Sequence, residues 1–376
     1  MTDIPSAPGR SGLDPVDRIA RAHKATADAG FDALLLTPGA DLRYLTGYDA
    51  HAKERLTCLV LPAGGPATLV VPELEKAAAE AAVSPALPIA AWPEGGDAYA
   101  LVRDVLGGAP NRVGLANRMW AEQALAFREA LPGTEQALAG AVLRGLRIRK
   151  SAAEVEALRE AAHAIDRVHA RMGEWLRAGR TEAEVGRDIA DAILAEGHVS
   201  VSFVIVGSGP NGASPHHAVS DRVIQHGDPV VVDIGGVTAT GYCSDNTRMY
   251  SIGEPPAEFR AYYDVLQRAQ EAGVVAVRPG VTAHEVDAAC RDLITDAGYG
   301  EYFIHRTGHG IGLDGHEEPW IIAGNDEPLE PGMAFSVEPG IYLPGRHGAR
   351  IEDIVVCTES GVDRLNLAPR ELVIPQ

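Results

Sequence analysis

The chain has 376 residues, of which 46% are hydrophobic and 23% are charged, and its formal net charge is −19. This length is enough for one large hydrophobic core or two ordinary ones. The excess of acidic residues argues against nucleic acid or an anionic membrane as the main partner. We also expect no membrane association, because no apolar run approaches the roughly 20 residues of a membrane span and no signal-like segment begins the chain.

The four cysteines bear on the cellular compartment. They lie far apart in the sequence without C-x-x-C spacing, at Cys58, Cys243, Cys290 and Cys357. In a chain of this length, that pattern is typical of reduced thiols rather than of a disulfide framework. The sequence therefore predicts a cytoplasmic protein.

The first part of the chain has the pattern of an α/β domain. Residues 1–13 are rich in Pro, Gly and Ser and predict a flexible N-terminus. Between residues 14 and 145, short apolar runs typical of strands alternate with segments of helical periodicity. Strands are predicted at 33–36, 58–61 and 67–71, with a further short apolar run at 113–115, and helices at 14–30, 73–82, 97–106 and 119–130.

Residues 146–376 contain an internal duplication. Capping boxes, in which Ser or Thr is followed three residues later by Glu, begin at Ser151, Thr181 and Thr282 and predict helix starts. The last two boxes lie 101 residues apart, and the helix-ending Gly197 and Gly298 keep that offset. A longer helical segment precedes each of these two boxes, and strand-like sequence follows each. The pattern predicts two related α/β units with pseudo-two-fold symmetry.

Acidic residues and histidines concentrate in this second part. Residues 151–376 have 35 acidic and 17 basic side chains and eleven of the 13 histidines, whereas residues 1–150 have 17 acidic and 16 basic side chains. Most of these acids are expected on the solvated surface. A few buried carboxylates beside histidines would instead form a metal site.

Each of the two related units has a pair of acids on strand-like sequence. Asp233 and Asp245 belong to the first unit, and Glu338 and Glu352 belong to the second. We expect all four on strands, where a two-fold axis would bring them together. Buried carboxylates repel one another and lose hydration, and two divalent cations would remove that cost. A histidine is expected to complete the ligands, and His309 lies between two glycines that permit close approach of the backbone.

The motifs around these residues, taken in chain order, resemble those of the pita-bread metallopeptidases of the Xaa-Pro peptidase group, which contains prolidase and aminopeptidase P. Residues 42–48 resemble the N-terminal domain of the same proteins, so the resemblance covers residues 14–372. The motifs that carry it are Ser214-Pro215-His216, Asp233-Ile234-Gly235-Gly236, Ser244-Asp245-Asn246-Thr247-Arg248, Thr307-Gly308-His309-Gly310-Ile311-Gly312-Leu313-Asp314, His316-Glu317, Val337-Glu338-Pro339-Gly340-Ile341-Tyr342 and Arg350-Ile351-Glu352-Asp353.

The resemblance implies a fold and a set of site residues. It implies a creatinase/prolidase-like α/β domain over 14–145 and a pita-bread catalytic domain over 146–376. It also implies two divalent metal ions per subunit and a homodimer. The implied metal ligands are Asp233, Asp245, His309, Glu338 and Glu352.

Further roles follow from the same resemblance. Asp245 and Glu352 would bridge the two ions, and Glu338 would also accept the proton of the attacking water. Arg350 would orient Asp233. The residues implied to line the substrate pocket and steady the scissile amide or the oxyanion are His216, His305, His316 and Tyr342.

Two features leave details open. The spacing of 12 residues between Asp233 and Asp245 is one longer than is usual in the family, and we expect the turn 238–241 to absorb the extra residue. The metal is expected to be Mn²⁺ because carboxylates predominate, with Co²⁺, Fe²⁺ and Zn²⁺ as alternatives.

The implied reaction is hydrolysis of an Xaa-Pro peptide bond, with a proline-containing peptide as partner. Methionine aminopeptidase, metal-free creatinase and a non-catalytic binding module are competing interpretations, and the retained ligands and the N-terminal α/β domain argue against them. Redox dimetal proteins use helical bundles with two Glu-x-x-His motifs, whereas this chain has a single such spacing, at Glu160 and His163. A dipeptidase is slightly favoured over aminopeptidase P, and Arg306, Arg346, His347 and residues of the N-terminal domain are candidates to bind the carboxylate of a dipeptide.

Overall fold

A computed structural model describes residue 13 and residues 15–375 of the chain. It divides into two compact units, of which one ends at Arg147 and the other begins at Ile148. The predicted flexible segment 1–13 lies outside the described residues except for Leu13. We retain 14–145 and 146–376 as the proposed domains. Within the described part of the chain, no helix is both long enough and apolar enough to cross a membrane.

The N-terminal unit is built on a six-stranded sheet in the order β4-β3-β2-β1-β5-β6. Strand β1 (Ala33–Leu36) is fully buried and pairs antiparallel with β2 (Cys58–Pro62) and parallel with β5 (Arg112–Leu115). The remaining elements are β3 (Thr68–Pro72), β4 (Ile89–Trp92), β6 (Glu135–Leu138), α1 (Pro15–Asp28), α2 (Ala40–Thr46), α3 (Lys76–Ala82), α4 (Ala98–Val105), α5 (Ala121–Ala130) and α6 (Gly140–Arg147).

The prediction of an α/β fold for this unit is confirmed, and three of the elements it omitted, β4, β6 and α2, share a physical cause. Strands β4 and β6 lie at the two edges of the sheet and have no buried residue, so they lack a distinct apolar run. Helix α2 has only seven residues and ends at Gly47, whose φ of 76° is in the left-handed region. Such short or edge elements have little periodicity to read.

The first half of the C-terminal unit consists of two helices and a three-stranded antiparallel sheet in the order β7-β8-β9. Apolar side chains of both helices pack with one face of the sheet in a common core, represented by Ile165, Ile189 and Val232. The elements are α7 (Ala152–Ala170), α8 (Glu182–Ala195), β7 (His198–Ser208), β8 (Pro229–Thr238) and β9 (Cys243–Ser251).

The second half repeats this plan with a larger sheet, in the order β11-β10-β12-β15-β16, and a separate hairpin, β13-β14. Its own core joins both helices to the sheet, for example at Leu266, Val286 and Phe335. The elements are α9 (Ala257–Ala276), α10 (Ala283–Asp296), β10 (Gly308–Gly310), β11 (Glu317–Ile321), β12 (Ala334–Val337), β13 (Gly340–Leu343), β14 (His347–Arg350), β15 (Asp353–Thr358) and β16 (Gly361–Arg364).

The predicted duplication is confirmed in detail. Helices α8 and α10 each have 14 residues, and each begins with a complete capping box in which side chain and backbone bond reciprocally. The third box, at Ser151, is also formed. Gly197 and Gly298 follow the two helices with φ of 107° and 86°, conformations that favour glycine. Local sequence therefore determines where each repeat starts and stops.

All four cysteines are free and buried. Burial raises the pKa of Cys58 to about 12 and the pKa of Cys357 to about 11, and it raises the pKa of Cys290 as well. These thiols are therefore held in the unreactive protonated form.

The capping box of α10 allows a direct stability test. Replacing Thr282 with Ala removes the hydroxyl that accepts the Glu285 backbone N–H, which should lower the free energy of unfolding by about 1 kcal/mol. Thr282→Ser keeps the acceptor and should match the parent protein. Urea unfolding followed by circular dichroism measures both, and equal midpoints for the Ala and Ser variants would contradict this account of the helix start.

Candidate metal centre

Strand register determines how the two aspartates meet. In the β8–β9 hairpin, Asp233 pairs with Thr247 and Asp245 pairs with Gly235, so the two carboxylates are diagonal neighbours on one face. The opposite face of β8 packs in the core of the first half, whereas Val231, two residues before Asp233, packs in the core of the second half. Both aspartates therefore face the second half of the unit.

The unusual spacing between these aspartates does not disturb their pairing. The ladder runs without interruption from Pro229 to Val237, and the turn that follows is closed by hydrogen bonds from the Thr238 N–H to the Tyr242 carbonyl and from the Gly241 N–H to the Thr238 carbonyl. The extra length therefore lies in the turn, as expected.

The two glutamates lie just outside strands, and the expectation that they lie within them is wrong. Strand β12 ends at Val337, and Pro339, which has no N–H to donate, follows Glu338. The backbone N–H of Glu352 donates to the Thr247 carbonyl of β9 (3.3 Å) rather than to a neighbouring strand of its own sheet. Because the backbone leaves the strand conformation at these two positions, both carboxylates are directed toward the first half.

His309 lies on the short strand β10, between β11 and β12. A Cβ at Gly308 would lie 1.8 Å from the Ser336 carbonyl oxygen, and one at Gly310 would lie 2.3 Å from the Glu318 carbonyl oxygen. The flanking glycines are thus required by the close approach of neighbouring backbone. The His309 Nδ1–H donates to the Gly310 carbonyl (3.1 Å), so Nε2 is the ring nitrogen that faces the carboxylates.

The predicted ligands converge on one buried cluster. Its ligand atoms form three overlapping groups, each within 4.8 Å: Asp233, Asp245 and Glu352; His309, Glu338 and Glu352; and Asp245, His309 and His316. The Nε2 of His309 lies 3.2 Å from Oε1 of Glu338 and 3.7 Å from Oδ2 of Asp245. Asp245, His309 and Glu352 each belong to two of the groups.

Two carboxylate oxygens of this cluster have no protein partner. Oδ1 of Asp233 and Oε1 of Glu352 are buried and, among the described residues, accept no hydrogen bond. An orphaned buried acceptor is costly, and a cation bound between the carboxylates would satisfy both atoms. Carboxylate oxygens with one imidazole nitrogen are a donor set that suits Mn²⁺, Fe²⁺, Co²⁺ or Zn²⁺. The residues therefore fit divalent metal ions.

The protonation equilibria reflect the same crowding. Burial, together with neighbouring carboxylates, raises the pKa of Asp245 and of Glu352 well above their usual range. Burial also raises the pKa of Asp233, although the Arg350 guanidinium opposes the shift. For Glu338, burial is outweighed by the His309 hydrogen bond and nearby positive charge, which lower its pKa to about 2.

A second layer of side chains fixes this cluster. Arg350 forms an ion pair with Asp233, donates to the Tyr342 hydroxyl (2.7 Å) and donates through Nε to the Thr247 hydroxyl (3.1 Å). The Thr247 hydroxyl donates in turn to Oε2 of Glu352 (2.8 Å). The predicted orienting role of Arg350 thus has a direct structural basis.

The three predicted pocket histidines have different surroundings. The Tyr342 hydroxyl donates to Nε2 of His305 (2.9 Å). The Nδ1–H of His305 donates to the Arg306 carbonyl (2.7 Å), so both ring nitrogens of His305 have protein partners. The ring of His316 lies against that of His309 at a tilt of 34°, with centroids 3.7 Å apart. Burial, aided by the nearby charges of His309, Arg306 and His216, lowers the pKa of His316 to about 4. His216 is exposed on the loop that follows β7.

Sequence reasoning missed two buried acids that hold the histidine-bearing loops. Glu182 is fully buried and accepts hydrogen bonds from Ser208, Asn211, Ser220 and Nε2 of His217 (2.7 Å). Its pKa is lowered because these donors outweigh burial. Its role was not predicted because, in the sequence, Glu182 is an ordinary acid in the first turn of the capped helix α8.

Asp287 on α10 is the counterpart in the second half. It accepts from both the N–H (3.2 Å) and the hydroxyl (2.8 Å) of Thr307, and it pairs with Arg291 (2.8 Å). Arg291 also donates to the His305 carbonyl (2.8 Å). Only the buried face of α10 hinted at this role, since no acid is expected there without a partner.

A duplicated α/β unit that closes around buried carboxylates and one histidine defines the class of pita-bread metallopeptidases. Residues 156–359 match metallopeptidase family M24, and residues 18–149 match the creatinase/prolidase N-terminal domain. The chain therefore belongs to metallopeptidase family M24. The resemblance drawn from the sequence motifs is confirmed, as is the fold.

Similar proteins agree over most of the chain. It is 57% identical to the probable dipeptidase PepE of Mycobacterium tuberculosis, over 95% of this chain and 96% of that protein. It is 35% identical to the Xaa-Pro dipeptidase of Pyrococcus furiosus, over 82% of this chain and 87% of that protein. The crystal structure of dipeptidase PepE from Mycobacterium ulcerans superposes with a TM-score of 0.91 at 55% identity, covering 97% of this chain and 99% of that one.

The raised pKa values predict that metal binding releases protons. Without metal, Asp245 and Glu352 hold protons at pH values where ordinary carboxyl groups are ionised, and a metal ion must displace them. The apparent affinity for Mn²⁺ should therefore weaken as the pH falls. Calorimetric titration in two buffers of different ionisation enthalpy measures the protons released, and zero release throughout the acidic range would contradict the prediction.

The Glu182 cluster predicts a coupling between a distant acid and the His216 loop. Glu182→Gln places an amide N–H₂ against donors, which should destabilise the protein by about 1–3 kcal/mol and loosen the loop. Hydrogen exchange of residues 208–220 should accelerate by more than that of β8. As a control, Asp191→Asn removes the charge of an exposed acid of the same helix. Equal protection of residues 208–220 in both variants would show that Glu182 does not hold the loop.

Proposed function

We propose that the chain hydrolyses the Xaa-Pro bond of dipeptides with two divalent metal ions, held by Asp233, Asp245, His309, Glu338 and Glu352. The observation that carries the proposal is the buried cluster with two orphaned carboxylate oxygens. Asp245, His309 and Glu352 each belong to two of its groups, and of these three the carboxylates of Asp245 and Glu352 have two oxygens each, which suits them to bridge two ions. Similarity to a protein named Xaa-Pro dipeptidase supports the substrate class.

The residues around the cluster have distinct tasks. When bound, the metal ions supply Lewis acidity and make water a nucleophile near neutral pH. Glu338 is ionised and held by the Ser336 hydroxyl (3.0 Å), so it can accept the proton of the attacking water and pass it to the leaving nitrogen. His316 is neutral at physiological pH and can donate an N–H to the oxyanion.

Recognition of proline must rely on shape. An Xaa-Pro bond is a tertiary amide without an N–H, so no acceptor in the site can read it. His305 packs edge-on against Phe303 (5.2 Å) and beside Tyr342 (5.4 Å), which gives the pocket an aromatic wall. Since both nitrogens of His305 have protein partners, we assign it to the shape of this wall, with His216 at the rim.

Further expectations from the sequence remain proposals. Mn²⁺ is proposed as the metal because four of the five ligands are carboxylates. A homodimer is proposed from the family resemblance, and a cytoplasmic location from the cysteine pattern. The second candidate function is that of an aminopeptidase P, which cleaves longer peptides with proline in the second position and would need the same metal cluster.

Substitutions in the cluster separate metal binding from chemistry. Glu338→Ala should abolish hydrolysis of Ala-Pro and reduce metal content, because it removes both a ligand and the proton acceptor. His316→Ala should retain the metal while kcat falls by about 100-fold or more, because an oxyanion donor is lost. Metal content by mass spectrometry and kinetics on Ala-Pro measure both effects.

The matched control is Asp292→Ala, which removes an exposed acid of α10 and should leave both quantities unchanged. A metal-free but fully active Glu338→Ala protein would refute the site. A protein that binds two metal ions yet cleaves neither Ala-Pro nor a longer Xaa-Pro peptide would refute the substrate class and leave a metal-binding role.

A further inference from the structure

Arg306 differs from the other candidates for binding the carboxylate of a dipeptide. Arg346 is exposed and paired with Glu258. His347 is buried, and its Nδ1 is hydrogen-bonded to the Tyr262 hydroxyl (2.9 Å). Arg306 is half-buried next to the metal cluster, and within residues 15–375 no carboxylate lies at ion-pair distance from it. A guanidinium held in such a place is available to an anionic ligand.

The guanidinium of Arg306 is also held in position. It stacks on the ring of Trp320 at 4.4 Å, and Nη2 donates to Nδ1 of His316 (3.3 Å). Trp320 is directly opposite His309 in the β10–β11 ladder, so the two side chains project from the same face of the sheet. A stacked arginine loses less freedom on binding a carboxylate than a solvated one. The stack therefore presents the guanidinium on the metal-facing side.

The distance from Arg306 to the metal cluster fits a dipeptide. His316 contacts Arg306 through one ring nitrogen and lies within 4.8 Å of the ligand atoms of Asp245 and His309. One imidazole ring thus separates the guanidinium from the place of the scissile carbonyl. In Xaa-Pro, the carboxylate carbon lies roughly 3–4 Å from the scissile carbonyl carbon, which places a free carboxylate within reach of Arg306.

We propose that Arg306, stacked on Trp320 and next to His316, binds the free C-terminal carboxylate of an Xaa-Pro dipeptide and thereby selects dipeptides over longer peptides. The proposal rests on the proposed function, and it decides between its two candidates. A longer peptide has a neutral amide at this position and gains no ion pair with the guanidinium. Arg306 is then a specificity-determining residue, whereas a purely positioning role through His316 would affect all substrates alike.

The test compares Ala-Pro with Ala-Pro-amide, which has the same scissile bond but no carboxylate. The manganese-loaded parent protein should prefer Ala-Pro by about 10- to 100-fold in kcat/KM, the range of a charge-assisted hydrogen bond. In Arg306→Gln, the KM for Ala-Pro should rise by that factor while the kinetics on Ala-Pro-amide change little. Arg306→Lys should restore part of the preference, and Arg346→Gln, the matched control, should behave as the parent protein.

Two results would overturn the proposal. One is a parent protein that cleaves Ala-Pro-amide and Ala-Pro-Ala as well as Ala-Pro. The other is an Arg306→Gln variant that loses the same factor of kcat/KM on every substrate. If no Xaa-Pro substrate is cleaved at all, the proposed function fails, and calorimetric binding then tests Arg306 separately. Arg306→Gln must weaken the binding of Ala-Pro and not that of Ala-Pro-amide. Equal binding of Ala-Pro by the variant and the parent protein would overturn the role of Arg306.

Discussion

Mutual repulsion among four crowded carboxylates, three of them buried, is the constraint around which the C-terminal unit is built. Asp233, Asp245, Glu338 and Glu352 come from four different places in the chain, and His309 and Arg350 are the positive or ionisable partners that face them. Within the part of the chain that the structure describes, two of their oxygens have no hydrogen-bond partner. The protein alone therefore does not balance its own site, and bound cations account for the arrangement better than any internal ion pair.

The duplicated architecture supplies the rigidity that such a site requires. Each half places a capped helix behind its sheet, and each helix has one buried acid that holds a loop: Glu182 holds the loop with His216, and Asp287 holds the loop with His305. The two acids are not at equivalent positions, since they lie on different turns of α8 and α10. The two halves thus hold their histidine-bearing loops with buried acids at different helix positions, whereas their capping boxes lie at equivalent positions.

Sequence determined the parts of this structure that depend on local patterns. Capping boxes, helix-ending glycines and the motifs around the five cluster residues all depend on neighbours in the chain, so both the duplication and the clustering were predictable. Long-range packing produced the rest. Glu352 lies outside a strand because its backbone N–H bonds across to Thr247 of the first half, and the N–H of Glu338 bonds to the Thr307 carbonyl within the second half. The Arg306–Trp320 stack depends on a strand register. Edge strands such as β6 have too little burial to leave a periodic pattern.

The burial of the thiols affects how the protein responds to oxidants. Its proposed ligands are oxygen and nitrogen atoms, and all four cysteines are buried, three of them with a raised pKa. Oxidants that attack thiolates would find neither a reactive sulfur nor a sulfur ligand to remove. Redox conditions would then act on the centre through the oxidation state of the metal, so the choice between Mn²⁺ and Fe²⁺ would set its tolerance to oxygen and peroxide.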